Sequence, residues 1–162
     1  MTNAQLKNSI WRVPLICLIA GLLYIRCYVW IVLRFGVLAP GEINDTVGLL
    51  TDAGLLAAFM ALGWLIFLQK QTRREVFISS SVVVVYGILL WALQLLTGST
   101  TGPAAVIFMR LNTPLEWMEF PVALQLYLQN HLSISIPFLW FLRFFIPWLF
   151  VLFAEKDKQK TA

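Results

Sequence analysis

Four long, mainly apolar segments, about Val13–Leu33, Val47–Leu68, Val76–Thr97 and Leu132–Ala154, constrain this chain more than anything else in it. Each has about 21 to 23 residues. As an α-helix that is roughly 32–35 Å, enough to cross a bilayer core with modest tilt. A soluble domain of 162 residues could not hide them: 60% of the residues are apolar, 12% are charged, and the mean hydropathy is +0.81. The apolar residues come in long blocks, not in period-two alternation, which favours helices over a barrel. The expected fold class is therefore an all-α integral membrane protein, one membrane domain over residues 1–162, with four transmembrane helices in a lipid bilayer.

The net charge of +4 does not point to nucleic acid, because the basic residues flank the apolar segments instead of lining a face with interleaved aromatics. Lys7 and Arg12 precede the first segment, Lys70, Arg73 and Arg74 lie between the second and third, and Lys156, Lys158 and Lys160 follow the fourth. Four crossings put all of these on one side. The other side keeps Arg34 and Arg110 with Glu42, Asp45, Glu116 and Glu119. Both termini, the segment 1–12 and the charged tail 155–162, are thus expected in the cytoplasm. The first segment, with Lys7 and Arg12 ahead of it, imitates a signal peptide. It has no convincing cleavage site and reads as a retained helix. Cys17 and Cys27 both lie in it, about 15 Å of helix apart, so they cannot bridge each other.

The stretch 98–131 is unusual. "TGSTTGP" reads as a loop, and "TPLE" at 113–116 as a capping box with Pro114 at the first helical position. The helix it starts, about 114–130 and disturbed at Pro121, carries Glu116, Glu119, Gln125, Gln129 and Asn130. A fifth crossing would bring two glutamates into hydrocarbon, so an interfacial or shallow re-entrant helix on the outer face is expected. Asn44 or Asp45 is placed to cap the second helix after the Pro40–Gly41 turn; that explains Asn44-Asp45-Thr46 better than glycosylation does. Ser79, Ser80 and Ser81 read as capping or interhelical hydrogen-bonding groups. Trp11, Trp64 and Trp148 read as one interfacial belt, Trp30 and Trp117 as the other.

Ala53, Ala57 and Ala61, beside Gly54 and Ala58, form a small-residue stripe that lets another helix approach closely, in the same bundle or in a second protomer; the former is favoured. Arg26, Asp52 and Arg143 are charged within the apolar segments, where each costs about 2.5–3.5 kcal/mol at the centre of a span. Arg26 and Asp52 lie at matching depths of about 8–11 Å and could pair. Arg143, roughly 17 Å from either interface, needs a carboxylate or a wet cavity. Asp52, Glu116, Glu119 and the hydroxyl of Tyr86 are its candidate partners.

No phosphate loop, metal cluster or nucleophile elbow appears, and no cofactor is expected. Glu116, Glu119 and His131 do not have a spacing that specifies a metal or acid–base site. The favoured reading is a non-enzymatic accessory, immunity-like or regulatory protein of a bacterial-type cell membrane, acting through association with another membrane protein. The alternatives are a small oligomeric transporter or channel with an outward-facing cavity at Arg26, Asp52 and Arg143, and, behind it, a membrane enzyme.

Overall fold

The computed structural model describes residues 10–39, 42–68, 71–98, 102–136 and 138–154. Outside them lie the N-terminal segment before Ile10, the Pro40–Gly41 turn, Lys70, Pro137 and the charged tail from residue 155. Helix dominates. In order come α1 (Arg12–Phe35), a small antiparallel pair β1 (Val37–Ala39) and β2 (Glu42–Ile43), α2 (Asp45–Gly63) with a π turn at Trp64–Leu68, and α3 (Arg73–Thr97). Then follow α4 (Gly102–Asn112), a 3-10 segment Thr113–Met118, α5 (Phe120–Leu132), a second 3-10 segment Leu139–Leu149 and α6 (Phe150–Phe153). Three helices, Arg12–Phe35, Asp45–Leu68 and Arg73–Thr97, are long and apolar enough to cross a membrane. Their outward faces expose Leu22, Ile66, Leu89 and Leu96, among other large apolar residues.

Local chemistry sets the helix starts. Asn44 Oδ1 accepts from the backbone N–H of Thr46 and Val47 at 2.9 and 3.3 Å, capping α2. Thr72 and Glu75 form a capping box for α3, which begins earlier than expected. The three serines therefore sit inside α3 and bond elsewhere. Ser79 Oγ accepts from Val13 N–H and donates to the Ile10 carbonyl, Ser80 Oγ donates to the Pro147 carbonyl at 2.8 Å, and Ser81 Oγ accepts from Trp148 Nε1. These are interhelical bonds, not caps.

The segment from Gly102 to Leu132 departs furthest from expectation. Helix α4 begins where a loop was predicted. The box at Thr113–Glu116 does not form: a 3-10 turn follows Asn112 with no side-chain cap, and Glu119 separates it from α5. Of the two placements expected, interfacial or shallow re-entrant, the segment does not take the first. Its tip packs against Gly21 in the middle of α1, where a Cβ would collide with the Thr113 carbonyl oxygen, and Leu115 reaches Gly87 in the middle of α3. Leu115, Trp117 and Met118 are all buried. Three large apolar side chains at the tip need burial, and the flat backbone at Gly21 admits them. Helix α5 then returns to the end of the bundle from which α4 left, where Asn130 Nδ2 donates to Asp45 at 3.3 Å. Trp117 consequently belongs to the core, against Phe59 and Phe150, and not to an interfacial belt.

The last segment is not the continuous helix expected over 132–154. Ser133 and Phe138 adopt left-handed backbone conformations (φ 54° and 77°), and Ser133–Ile136 are non-helical. Proline at 137 disfavours helix for the residue before it, and Pro147 removes a backbone donor inside the next turn. The chain then descends as a 3-10 helix antiparallel to α3. Trp140 and Phe141 meet Trp91, Phe144 fills the space above Gly87, and Trp148 stacks on Phe77.

Candidate functional site

Arg143 projects from the 3-10 segment Leu139–Leu149 toward the break between the first 3-10 turn and α5. There its Nη1 meets Glu119 Oε1 at 2.6 Å, with the two side chains 18% and 25% exposed. The guanidinium carbon also lies 5.0 Å from the Phe144 ring centroid. So Arg143 finds its carboxylate on the hairpin, which comes close enough only because it penetrates to mid-bundle. Tyr86 does not take part; its hydroxyl donates to the Leu111 carbonyl and fastens the end of α4 to α3.

Asp52, on α2, is 4% exposed and accepts a hydrogen bond of 2.5 Å from the Tyr24 hydroxyl of α1. The Arg26–Asp52 pair does not form. Arg26 is two residues beyond Tyr24, about 200° around the helix, and is exposed on the other side of α1. Glu116 Oε2 and Gln125 Oε1 are buried without a hydrogen-bond partner. The interior thus gathers Asp52, Glu116 and Glu119 with Arg143, and leaves Arg26 outside. Sequence reasoning missed Tyr24 and Gln125. A tyrosine at the depth of Asp52 on the neighbouring helix was the available signal for the first.

Comparison with family models, curated proteins and solved structures returns no significant match to this chain.

Two openings adjoin this centre. A cleft of about 110 Å³ lies above Asp52 toward the Asp45 end, walled by Tyr28, Asp45, Gly48, Asp52, Leu126 and Tyr127. A larger apolar groove of about 530 Å³ runs along α2, floored by Ala53, Ala57 and Ala61 and bounded by Phe120, Leu149 and Phe153. The small-residue stripe therefore does not seat a neighbour of the same bundle as expected. Close approach within the bundle falls to Gly21, Gly63 and Gly87, whose missing Cβ atoms admit Thr113, Phe150 and Phe144. Among the described residues no group of three or more His, Cys, Asp or Glu comes together in a metal-holding arrangement. His131 stacks on Tyr127, ring centroids 4.3 Å apart, one turn along α5.

Proposed function

We propose that the chain is a non-enzymatic multi-pass protein of the cell membrane that works by holding an apolar helix of another membrane protein in the α2 groove. The groove carries this reading. It is the width of a small-residue stripe, it lies among side chains exposed on the apolar surface, and its alanines leave backbone within reach of a second helix. Association of this kind supports an accessory, immunity-like or regulatory role.

The same reading takes Leu139–Phe153 as a fourth crossing. At about 2.0 Å per residue the 3-10 part extends about 22 Å, and α6 adds about 6 Å. That comes close to the hydrocarbon thickness of about 30 Å. With the hairpin 102–132 re-entrant from the opposite side, four crossings leave both termini with the basic residues in the cytoplasm. The transporter or channel alternative has the cleft beside Asp52 in its favour; against it, Trp117, Phe144 and Phe150 fill the core beyond Arg143.

A photo-crosslinking residue at Ala57, in the native membrane, tests the reading. The expected result is an adduct with one different membrane protein, absent when the crosslinker replaces Leu89 on the far side of α3 and lost when Ala61 is enlarged to Phe. Adducts only to a second copy, or equal adducts from both positions, overturn it.

A further inference from the structure

Among the described residues, the bundle interior gathers the carboxyl groups of Asp52, Glu116 and Glu119 with the guanidinium of Arg143, which Glu119 occupies. Asp52 is left with a neutral donor alone. Tyr24 reaches one of its oxygens, and among the described residues no donor reaches the other. A carboxylate that is 4% exposed and lacks a cation is costly to keep. Within a membrane-embedded helix, an ionisable side chain of this kind marks a functional site by default.

Asp52 also lines the cleft, at its deep end. Asp45 stands at the mouth, seven residues earlier and therefore on the same face of α2 about 10 Å above it. Asn130 holds Asp45 from α5. Between the two acids the walls are the rings of Tyr28 and Tyr127 and the apolar side chains Leu49 and Leu126. Gly48 keeps the space open, since a Cβ there would stand 3.3 Å from the Tyr28 hydroxyl.

The volume and the walls restrict the occupant. About 110 Å³ is well below the roughly 300–1,000 Å³ of a drug-sized ligand pocket, yet several times the space one water needs. A bare divalent ion is poorly served, because six or more oxygen ligands are usual and the cleft offers two carboxylates and tyrosine hydroxyls among apolar groups. Two aromatic faces, apolar walls and a buried carboxylate instead match a short organic ammonium, whose charge meets Asp52 and whose alkyl part meets the rings.

We infer that this cleft is a binding site for a small primary-amine cation, entered from the Asp45 end, with Asp52 as the charge partner and Tyr28 and Tyr127 as the walls. This goes beyond association through the α2 groove, whose lining residues are different and lie about a quarter-turn around the helix, and it stands or falls separately from it.

The test is a titration of the full chain in nanodiscs with n-butylammonium chloride, read by calorimetry, with sodium chloride and tetramethylammonium chloride as comparisons. Saturable binding of butylammonium is expected, reduced at least tenfold in Asp52→Asn and unchanged in Arg26→Gln. Gly48→Leu fills the cleft without touching a charge and should abolish binding, which keeps the test decisive if Asp52→Asn fails to fold. Equal binding of sodium, no saturable binding, or binding that survives Gly48→Leu overturns the assignment.

Discussion

Arg143→Met keeps the length and apolar stem of the side chain and removes the guanidinium that stands 2.6 Å from Glu119. Breaking a fully buried pair costs about 3–5 kcal/mol while the survivor stays charged, and this pair is part-buried, so the lower end applies. Glu119 has an exit, because a carboxyl with an ordinary pKa of about 4.3 can take up a proton at pH 7 for about 3.7 kcal/mol. The penalty is therefore about 3 kcal/mol and is capped below 4, roughly a hundredfold in the folded-to-unfolded ratio. An orphaned acid binds its proton more tightly folded than unfolded, so the deficit is largest near neutral pH and shrinks as pH falls toward 5. Glu119→Gln should differ. Arginine cannot shed its proton, but the carboxylates of Asp52 and Glu116 remain inside as substitute partners for the guanidinium, so the loss is about 1.5 kcal/mol near neutral pH and does not shrink as pH falls. In the double variant Arg143→Met/Glu119→Gln no charge is stranded, and stability should return to within about 1 kcal/mol of the parent. Thermal unfolding in micelles, followed by tryptophan fluorescence at pH 7.5 and 5.5, reads all three; Trp117, fully buried between Phe59 and Phe150, reports on the core. A double variant as unstable as Arg143→Met, or an Arg143→Met deficit equal at both pH values, refutes the reasoning.

Other perturbations test the packing by the same melt. Gly21→Val drives a side chain into the Thr113 backbone and should cost about 1–3 kcal/mol, whereas Gly54→Ala, with nothing within 4 Å, should be neutral or slightly stabilising. Equal effects at the two glycines would deny the hairpin its place against α1. Ser80→Ala removes the hydroxyl donated to the buried Pro147 carbonyl and should cost about 1–2 kcal/mol; no loss would mean that this bond does not join α3 to the last segment. Trp117→Ala should cost about 3–5 kcal/mol, and a loss below about 1 kcal/mol would return Trp117 to the surface belt.

The three long helices were readable because their signal is local: some twenty apolar residues, an Asn44 cap and basic flanks declare themselves without reference to the rest of the chain. The hairpin was not, because its depth depends on what it meets. "TPLE" is a sound capping pattern, but Gly21 admits the Thr113 backbone, Gly87 admits Leu115, and Phe59 and Phe150 enclose Trp117, and that burial outweighs the hydrogen bonding of a cap. The need of Arg143 for a carboxylate followed from depth alone. The choice of Glu119 followed from the hairpin, and so was open until the hairpin was placed. Arg26 and Asp52 show the limit of matching depths. Two residues of helix rotation gave Asp52 to Tyr24 and turned Arg26 outward.

The Arg143–Glu119 contact also orders the making of the protein. Glu119 precedes Arg143 by 24 residues, so the ribosome delivers the acid before the base. On insertion scales an unpaired arginine at the centre of a span costs about 2.5–3.5 kcal/mol, a heavy charge on a segment of only fifteen helical residues. On the proposed four-crossing topology, that arginine meets a counterion on a hairpin already made, and insertion of the last segment depends on the hairpin before it. A chain whose hairpin is out of place leaves Arg143 without its carboxylate in an apolar segment.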